Sequence, residues 1–88
     1  MRLDIFLKAS GIIKRRSLAN ELCDRGLVSV NGAKGKAGRV LKEGDIVDVK
    51  VGMYKYKLEV LSLPEKKVNR LTEGNFRILE KSVEKVDG

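Results

Sequence analysis

The sequence lacks several residue types on which common active sites depend. It contains no histidine or tryptophan, one cysteine, one proline, two tyrosines and two phenylalanines. The absence of histidine excludes imidazole-based acid–base catalysis and histidine-ligated metals. Cys23 alone forms neither a disulfide framework nor a sulfur-rich metal site, and its place on the apolar side of a predicted helix indicates a packed core thiol. We therefore nominate no catalytic residue and no metal ligand, and we expect no cofactor.

Long apolar runs are also missing. The longest covers only a few residues, so no segment is long enough to span a bilayer, and the N-terminus lacks the apolar stretch of a secretory signal. We expect a cytoplasmic protein with no membrane partner. At 88 residues the chain has the size of one small domain, in which a deep, dry pocket is uncommon.

Positive charge is concentrated in the first part of the chain. The formal net charge is +7, and residues 1–36 carry eight Lys or Arg against three Asp or Glu. Residues 37–88 carry eleven against nine. A clustered positive field favours polyanions, whereas an even spread would indicate only a solubility surface.

Apolar periodicity predicts two short helices near the N-terminus. Leu3, Phe6 and Leu7 follow the i, i+3, i+4 spacing of a helix with one buried stripe, which we place at residues 2–9. A second helix is predicted at residues 17–25, with its Leu, Ala and Cys residues facing inward.

The boundaries of the second helix carry local signals. Ser17 is predicted to cap its start or to occupy its first turn, and Gly26 to close it in a left-handed conformation. Lys14, Arg15 and Arg16 stand immediately before this helix. Three adjacent cations at a helix entrance form a compact positive surface, where the helix dipole also favours an anion.

After Gly26 the apolar period changes from 3.6 to 2, which predicts strands. Residues 27–30 alternate and run into an Asn31-Gly32 turn, and residues 46–51 and 54–63 are two further strands. Residues 33–38 are predicted to be a flexible basic segment.

The C-terminal part is ambiguous from its pattern. Residues 65–73 are polar and are predicted to be a solvated loop that carries Lys66, Lys67 and Arg70. Phe76 and Ile78 fit a last short strand, but Phe76, Leu79 and Val83 also fit one face of a helix.

Four motifs follow one another in order along the chain: Arg2-Leu3-Asp4, Lys14-Arg15-Arg16-Ser17-Leu18-Ala19, Gly26-Leu27-Val28-Ser29-Val30-Asn31-Gly32 and Gly44-Asp45-Ile46-Val47-Asp48-Val49. Together they resemble a known family, the S4-type (S-four) RNA-binding domain. The likeness covers about residues 1–51 and is strongest to the stand-alone bacterial ribosome-quality-control RqcP and Hsp15-like members, with which it continues into residues 54–62.

The resemblance implies both a fold and a function. The fold is α+β, with two short helices packed on a small, mostly antiparallel sheet. We expect residues 1–64 to form the RNA-binding domain with an added strand, and residues 65–88 to be a partly ordered extension. The implied function is non-enzymatic binding of large-subunit rRNA and tRNA on stalled large subunits that carry peptidyl-tRNA. The implied protein partner is a factor that elongates the nascent chain, and we expect a monomer.

Backbone recognition explains which residues we nominate. A-form RNA is recognised largely by shape, so cations at fixed spacing and guanidinium forks are the suitable contacts. Asp4 is expected to orient a neighbouring arginine, and Asn31 can serve either as an amide contact or as a left-handed turn residue. The nominated RNA-binding residues are Arg2, Lys8, Lys14, Arg15, Arg16, Asn31, Lys34 and Lys36.

Two other classes of function stay open at this point. The same domain occurs as an RNA-binding accessory on RNA-modifying enzymes, which would require a catalytic domain besides this one. A basic adaptor that binds duplex DNA or an acidic protein face is the other alternative.

Overall fold

The structure, a computed structural model, describes residues 1–66 and 68–84. Within these residues, two helices precede five strands, and the strands form one antiparallel sheet in the order β2-β1-β3-β4-β5. This confirms the predicted α+β class. The elements are α1 (Leu3–Ala9), α2 (Arg16–Asp24), β1 (Val28–Val30), β2 (Ala33–Lys34), β3 (Ile46–Val51), β4 (Tyr54–Val60) and β5 (Phe76–Val83).

The core lies between the two helices and one face of the sheet. Leu3, Phe6 and Leu7 are fully buried, as the helical spacing of α1 predicts. The side chains that alternate along the central strands complete the core. Its buried members from α2 and the sheet are Ala19, Leu22, Cys23, Val28, Val30, Val47, Val49, Leu58 and Val60.

The start of α2 differs from the expectation. The helix begins at Arg16, its N-cap is Arg15, and no side chain of the described residues caps it by a hydrogen bond. Of the two predicted places for Ser17, cap or first turn, the first turn is therefore confirmed. Ser17 lies exposed within the first turn. The end of the helix agrees with the prediction, since Gly26 has a φ of 75°, where a side chain would be strained.

The Asn31-Gly32 turn joins β1 to β2, and both residues have positive φ, 52° and 84°. Residues 33–38, predicted to be flexible, instead begin with strand β2 and continue into a close contact. Gly35 is buried, and a Cβ built on it would lie 2.7 Å from Leu3 Cδ2. This position therefore needs glycine because of close packing against α1.

The C-terminal strand settles the ambiguity left by the sequence pattern. β5 pairs antiparallel along β4, with an irregularity in register next to Leu58, so these residues form a strand and no helix. Phe76 meets Phe6 edge to face, with ring centroids 6.1 Å apart. β4 ends at Val60, three residues before the predicted end at residue 63.

The strand β5 ties the C-terminal part to the main sheet within the described residues. The division between residues 1–64 and 65–88 stays a prediction, and residues 85–88 lie outside the described residues, as does Lys67. Over residues 1–66 and 68–84, no helix is long and apolar enough to cross a membrane.

Candidate RNA-binding surface

A buried carboxylate at the start of α1 organises the positive surface. The side chain of Asp4 is fully buried, and its Oδ2 accepts hydrogen bonds from Arg2 Nη2 at 3.2 Å, Arg16 Nε at 3.0 Å and Asn20 Nδ2 at 3.0 Å. Its Oδ1 accepts a bond from the backbone N–H of Ile5 at 2.8 Å. One carboxylate thus joins the first turn of α1 to the first two turns of α2, as expected of a residue that orients an arginine.

Asp4 remains ionised in this setting. Burial by itself would raise the pKa of its carboxyl group, but the hydrogen bonds from Arg16, Asn20 and the Ile5 N–H, together with the Arg16 charge, lower the pKa below its usual value. An ionised carboxylate that is itself buried holds the two guanidinium groups in one geometry.

The two arginines present their remaining surface to solvent. Their side chains are 45% exposed for Arg2 and 47% exposed for Arg16, although both are bound to the same buried atom. The Arg16 bond uses Nε, which leaves its two terminal nitrogens for an external anion. Guanidinium groups fixed in this way bind phosphate without losing the side-chain entropy that a mobile arginine would lose.

The loop after β2 extends the positive surface on the Arg2 side. A Cβ built on Gly38 would lie 3.7 Å from Arg2 Nη2, so this loop passes directly beside the guanidinium. The loop is held there by the Leu3 N–H, which donates to the Arg39 carbonyl at 2.8 Å. Lys34, Lys36, Gly38 and Arg39 line an open depression of about 500 Å³.

Arg39 is a further cation of this surface and is not among the nominated RNA-binding residues. It is exposed and lines the same depression as the nominated Lys34 and Lys36. Its position directly after the Gly-Lys-Ala-Gly stretch was the available signal, since glycine-rich basic loops allow close approach to phosphates.

Lys8 continues the surface on the other side of Arg16. These two residues line a common depression at the C-terminal end of α1. Lys8 and Arg16 thus share a depression, Arg16 and Arg2 share the Asp4 carboxylate, and Arg2 lies beside the loop of residues 34–39. The structure therefore connects these cations into one surface.

Lys14 and Arg15 lie near this surface only because they directly precede Arg16 in the sequence. Both are exposed in the segment that enters α2, and no hydrogen bond links their side chains to the Asp4 group within the described residues. The Arg15 backbone is extended, with φ −130° and ψ 138°. Their contact with RNA stays a prediction.

Asn31 has an evident role inside the protein. Its Nδ2 donates to Asp45 Oδ1 at 3.0 Å, and its Oδ1 accepts from the Ile46 N–H at 2.9 Å. Burial alone would raise the pKa of Asp45, but bonds from the Lys42 N–H and Asn31 lower it. Both ends of the amide therefore fasten the turn to the start of β3, and a direct RNA contact by Asn31 stays a prediction.

The comparison with known families agrees with this layout. Residues 1–47 match the S4 domain family, which covers α1, α2, β1, β2 and the start of β3. The chain belongs to the S4 domain family. The S4 match therefore contains Asp4, both of its arginines and the whole basic loop, while β4, β5 and the segment between them lie outside it.

Two curated relatives extend the similarity beyond the S4 match. The chain is 39% identical over 80 residues to the RQC P-site tRNA stabilizing factor of Bacillus subtilis (strain 168), covering 91% of this chain and 93% of that protein. It is 48% identical over 65 residues to the protein of the same name from Halalkalibacterium halodurans, covering 74% of each. The predicted family is confirmed.

Solved structures share the fold over most of its length. The solution structure of the hypothetical protein HP1423 matches with a TM-score of 0.75 at 29% identity, covering 93% of this chain and all of that one. The trimeric structure of Vibrio cholerae heat shock protein 15 matches with a TM-score of 0.76 at 23% identity, covering 89% and 80%. The second likeness concerns the fold alone.

Proposed function

We propose that this protein binds large-subunit rRNA and tRNA and acts in the rescue of stalled large subunits that carry peptidyl-tRNA. It holds one position of the tRNA through backbone contacts and performs no chemistry. A factor that elongates the stalled nascent chain is the proposed protein partner.

The observation that carries the proposal is the pair of arginines held by one buried carboxylate. Arg2 and Arg16 are fixed by Asp4 yet nearly half exposed, and further cations flank them on both sides. Cations held in fixed positions suit contacts with the phosphates of a folded RNA strand. The relatives that align over most of their length are named for stabilising P-site tRNA, which supports tRNA as a ligand.

The size of the electrostatic contribution follows from the number of phosphates engaged. If about five phosphates are neutralised, the logarithm of the binding constant falls against the logarithm of the salt concentration with a slope of roughly −3.5 to −4.5. Binding to an isolated RNA strand is then modest at physiological salt. The surface of a large subunit with a bound tRNA offers several phosphate rows at once, which raises the affinity there.

The test is co-sedimentation of the tagged protein with purified large subunits carrying peptidyl-tRNA. The Arg2→Ala/Arg16→Ala variant should be lost from the large-subunit fraction. The matched control, Arg25→Ala/Arg77→Ala, removes the same charge from exposed residues outside the cluster and should still co-sediment. Circular dichroism checks that both variants keep the fold.

Two results would overturn the proposal. One is co-sedimentation of the Arg2→Ala/Arg16→Ala variant at the wild-type level. The other is a preference for duplex DNA over structured RNA in a competition at matched salt, which would favour a DNA-binding adaptor.

A further inference from the structure

A shallow depression lies beside the arginine cluster, where α1 ends. It has a volume of about 200 Å³ and is open to solvent. Four of its lining residues belong to the S4 match, and two come from the segment between β4 and β5. The lining residues are Ile5, Lys8, Ala9, Arg16, Val68 and Asn69.

The segment that closes this depression is anchored on α1. The Leu71 N–H donates to the Ala9 carbonyl at 2.8 Å, and the Leu71 side chain is buried in the core. Val68 packs against the same core. The polar composition of residues 65–73 had predicted only a solvated loop, but these contacts fix one wall of the depression.

The lining has two chemical parts. Ile5, Ala9 and Val68 form an apolar floor, while Lys8 and Arg16 supply cations and Asn69 supplies an amide. Among the described residues, no carboxylate lines it, and the Asn69 side chain is exposed to solvent. A nucleotide has the matching parts, namely an anionic phosphate, a polar ribose and an apolar base face.

We propose that this depression holds one nucleotide of the bound RNA. Its phosphate lies against Lys8 and Arg16, and its ribose or base lies on the apolar floor. Asn69 contacts a ribose hydroxyl or a base edge, groups that an amide can bind as donor and acceptor. The inference rests on the proposed function and adds to it a contact by the segment outside the S4 match.

The first test is an NMR titration of the ¹⁵N-labelled protein with a five-nucleotide oligouridylate at low salt. The backbone amides of Ala9, Val68 and Asn69 should shift together with that of Arg16, at one common dissociation constant. Inorganic phosphate alone should shift Arg16 and leave Val68 unchanged. If RNA shifts Arg16 but leaves Val68 and Asn69 in place, the nucleotide site is refuted while RNA binding itself stands.

A pair of variants tests the same site on large subunits. Asn69→Asp places a carboxylate of the same shape at the rim and should weaken co-sedimentation affinity roughly threefold to tenfold, as one like charge near a phosphate does. Ser82→Asp adds the same charge to an exposed residue of β5 and should leave the affinity within about twofold of wild type. Equal effects of the two variants would refute the site, because only general charge would then matter.

Discussion

Asp4→Asn distinguishes a positioned arginine cluster from a general positive field. The change removes a negative charge and raises the net charge, so an account based on field alone predicts tighter RNA binding. The structure predicts the opposite, because Asp4 holds both Arg2 and Arg16 from a fully buried position. The sign of the effect on affinity therefore decides between the two accounts.

The expected magnitude follows from the contacts of this carboxylate. Releasing two arginines costs about 0.5–1.5 kcal/mol each when RNA must immobilise them again. Removing the negative charge of Asp4 makes the binding free energy more favourable by about 1 kcal/mol or less at low salt. With the full charge gain subtracted, the net loss of binding free energy is about 0–2 kcal/mol, so we expect RNA affinity to fall by up to about thirtyfold. We expect the free energy of unfolding to fall by about 1–3 kcal/mol as charge-assisted bonds are lost.

The assay is fluorescence anisotropy with a structured RNA, at a temperature well below the unfolding midpoint of the variant. Asp48→Asn, which removes the same charge from β3, should bind as tightly as wild type or slightly better. In the Arg2→Ala/Arg16→Ala background, Asp4→Asn should no longer weaken binding, because the groups it positions are gone. Tighter binding by a folded Asp4→Asn protein would refute the reasoning.

Three further predictions concern the fold. Gly35→Ala should lower the free energy of unfolding in urea by about 1–3 kcal/mol, because its Cβ would meet Leu3; Gly74→Ala, whose nearest atom is 4.0 Å away, should change it little. Burial, together with nearby carboxylates, raises the pKa of the Cys23 thiol, so a thiol reagent at pH 8 should label it only through opening of the fold. Labelling of the native protein at the rate of a free thiol would contradict this. The pKa of Asp4 is lowered in the folded protein, so the stabilisation that its ionised carboxylate provides is complete above the unfolded pKa of about 3.9 and is lost as the pH falls through the folded pKa. The urea midpoint of Asp4→Asn should therefore fall less steeply with acid than that of the wild type. Parallel curves for the two proteins would contradict this prediction.

Local rules predicted most of the elements from the sequence. The spacing of Leu3, Phe6 and Leu7 defines the buried face of α1, and alternation defines β1, β3 and β4. Gly26 was predictable because only the left-handed region closes the helix there. These features depend on neighbouring residues, which is why a periodic pattern reveals them.

Features that depend on contacts distant in sequence were not predictable in this way. At the start of α2, Arg16 is bound by Asp4 of α1, a contact between residues twelve positions apart that no local pattern reveals. The sequence pattern of β5 fits a helix as well as a strand, and only the pairing with β4 decides between them. Gly35 looks like part of a flexible loop, and only the approach of Leu3 shows that it is packed.

In the candidate site, too, local features were predictable from the sequence and long-range contacts were not. The sequence indicated that cations cluster near the N-terminus, and it indicated that Asp4 orients an arginine. It did not reveal that one carboxylate binds two arginines from different elements, nor that Arg39 faces the same surface. Charge composition is local information, whereas the geometry of the cluster arises when α1, α2 and the loop after β2 pack together.

The contact between Leu71 and Ala9 links the S4-matched part of the chain to the segment between β4 and β5, which lies outside the match. The S4 match ends at residue 47, within β3, so β4 and β5 extend the sheet outward from the matched part. The connection between these strands nevertheless returns across α1 and is held there by the Leu71 N–H. An extension that served only to widen the sheet would not need this return. Its position beside Lys8 and Arg16 is explained if the segment shapes the end of the RNA-binding surface, where it adds an amide and an apolar wall to a surface otherwise made of charge.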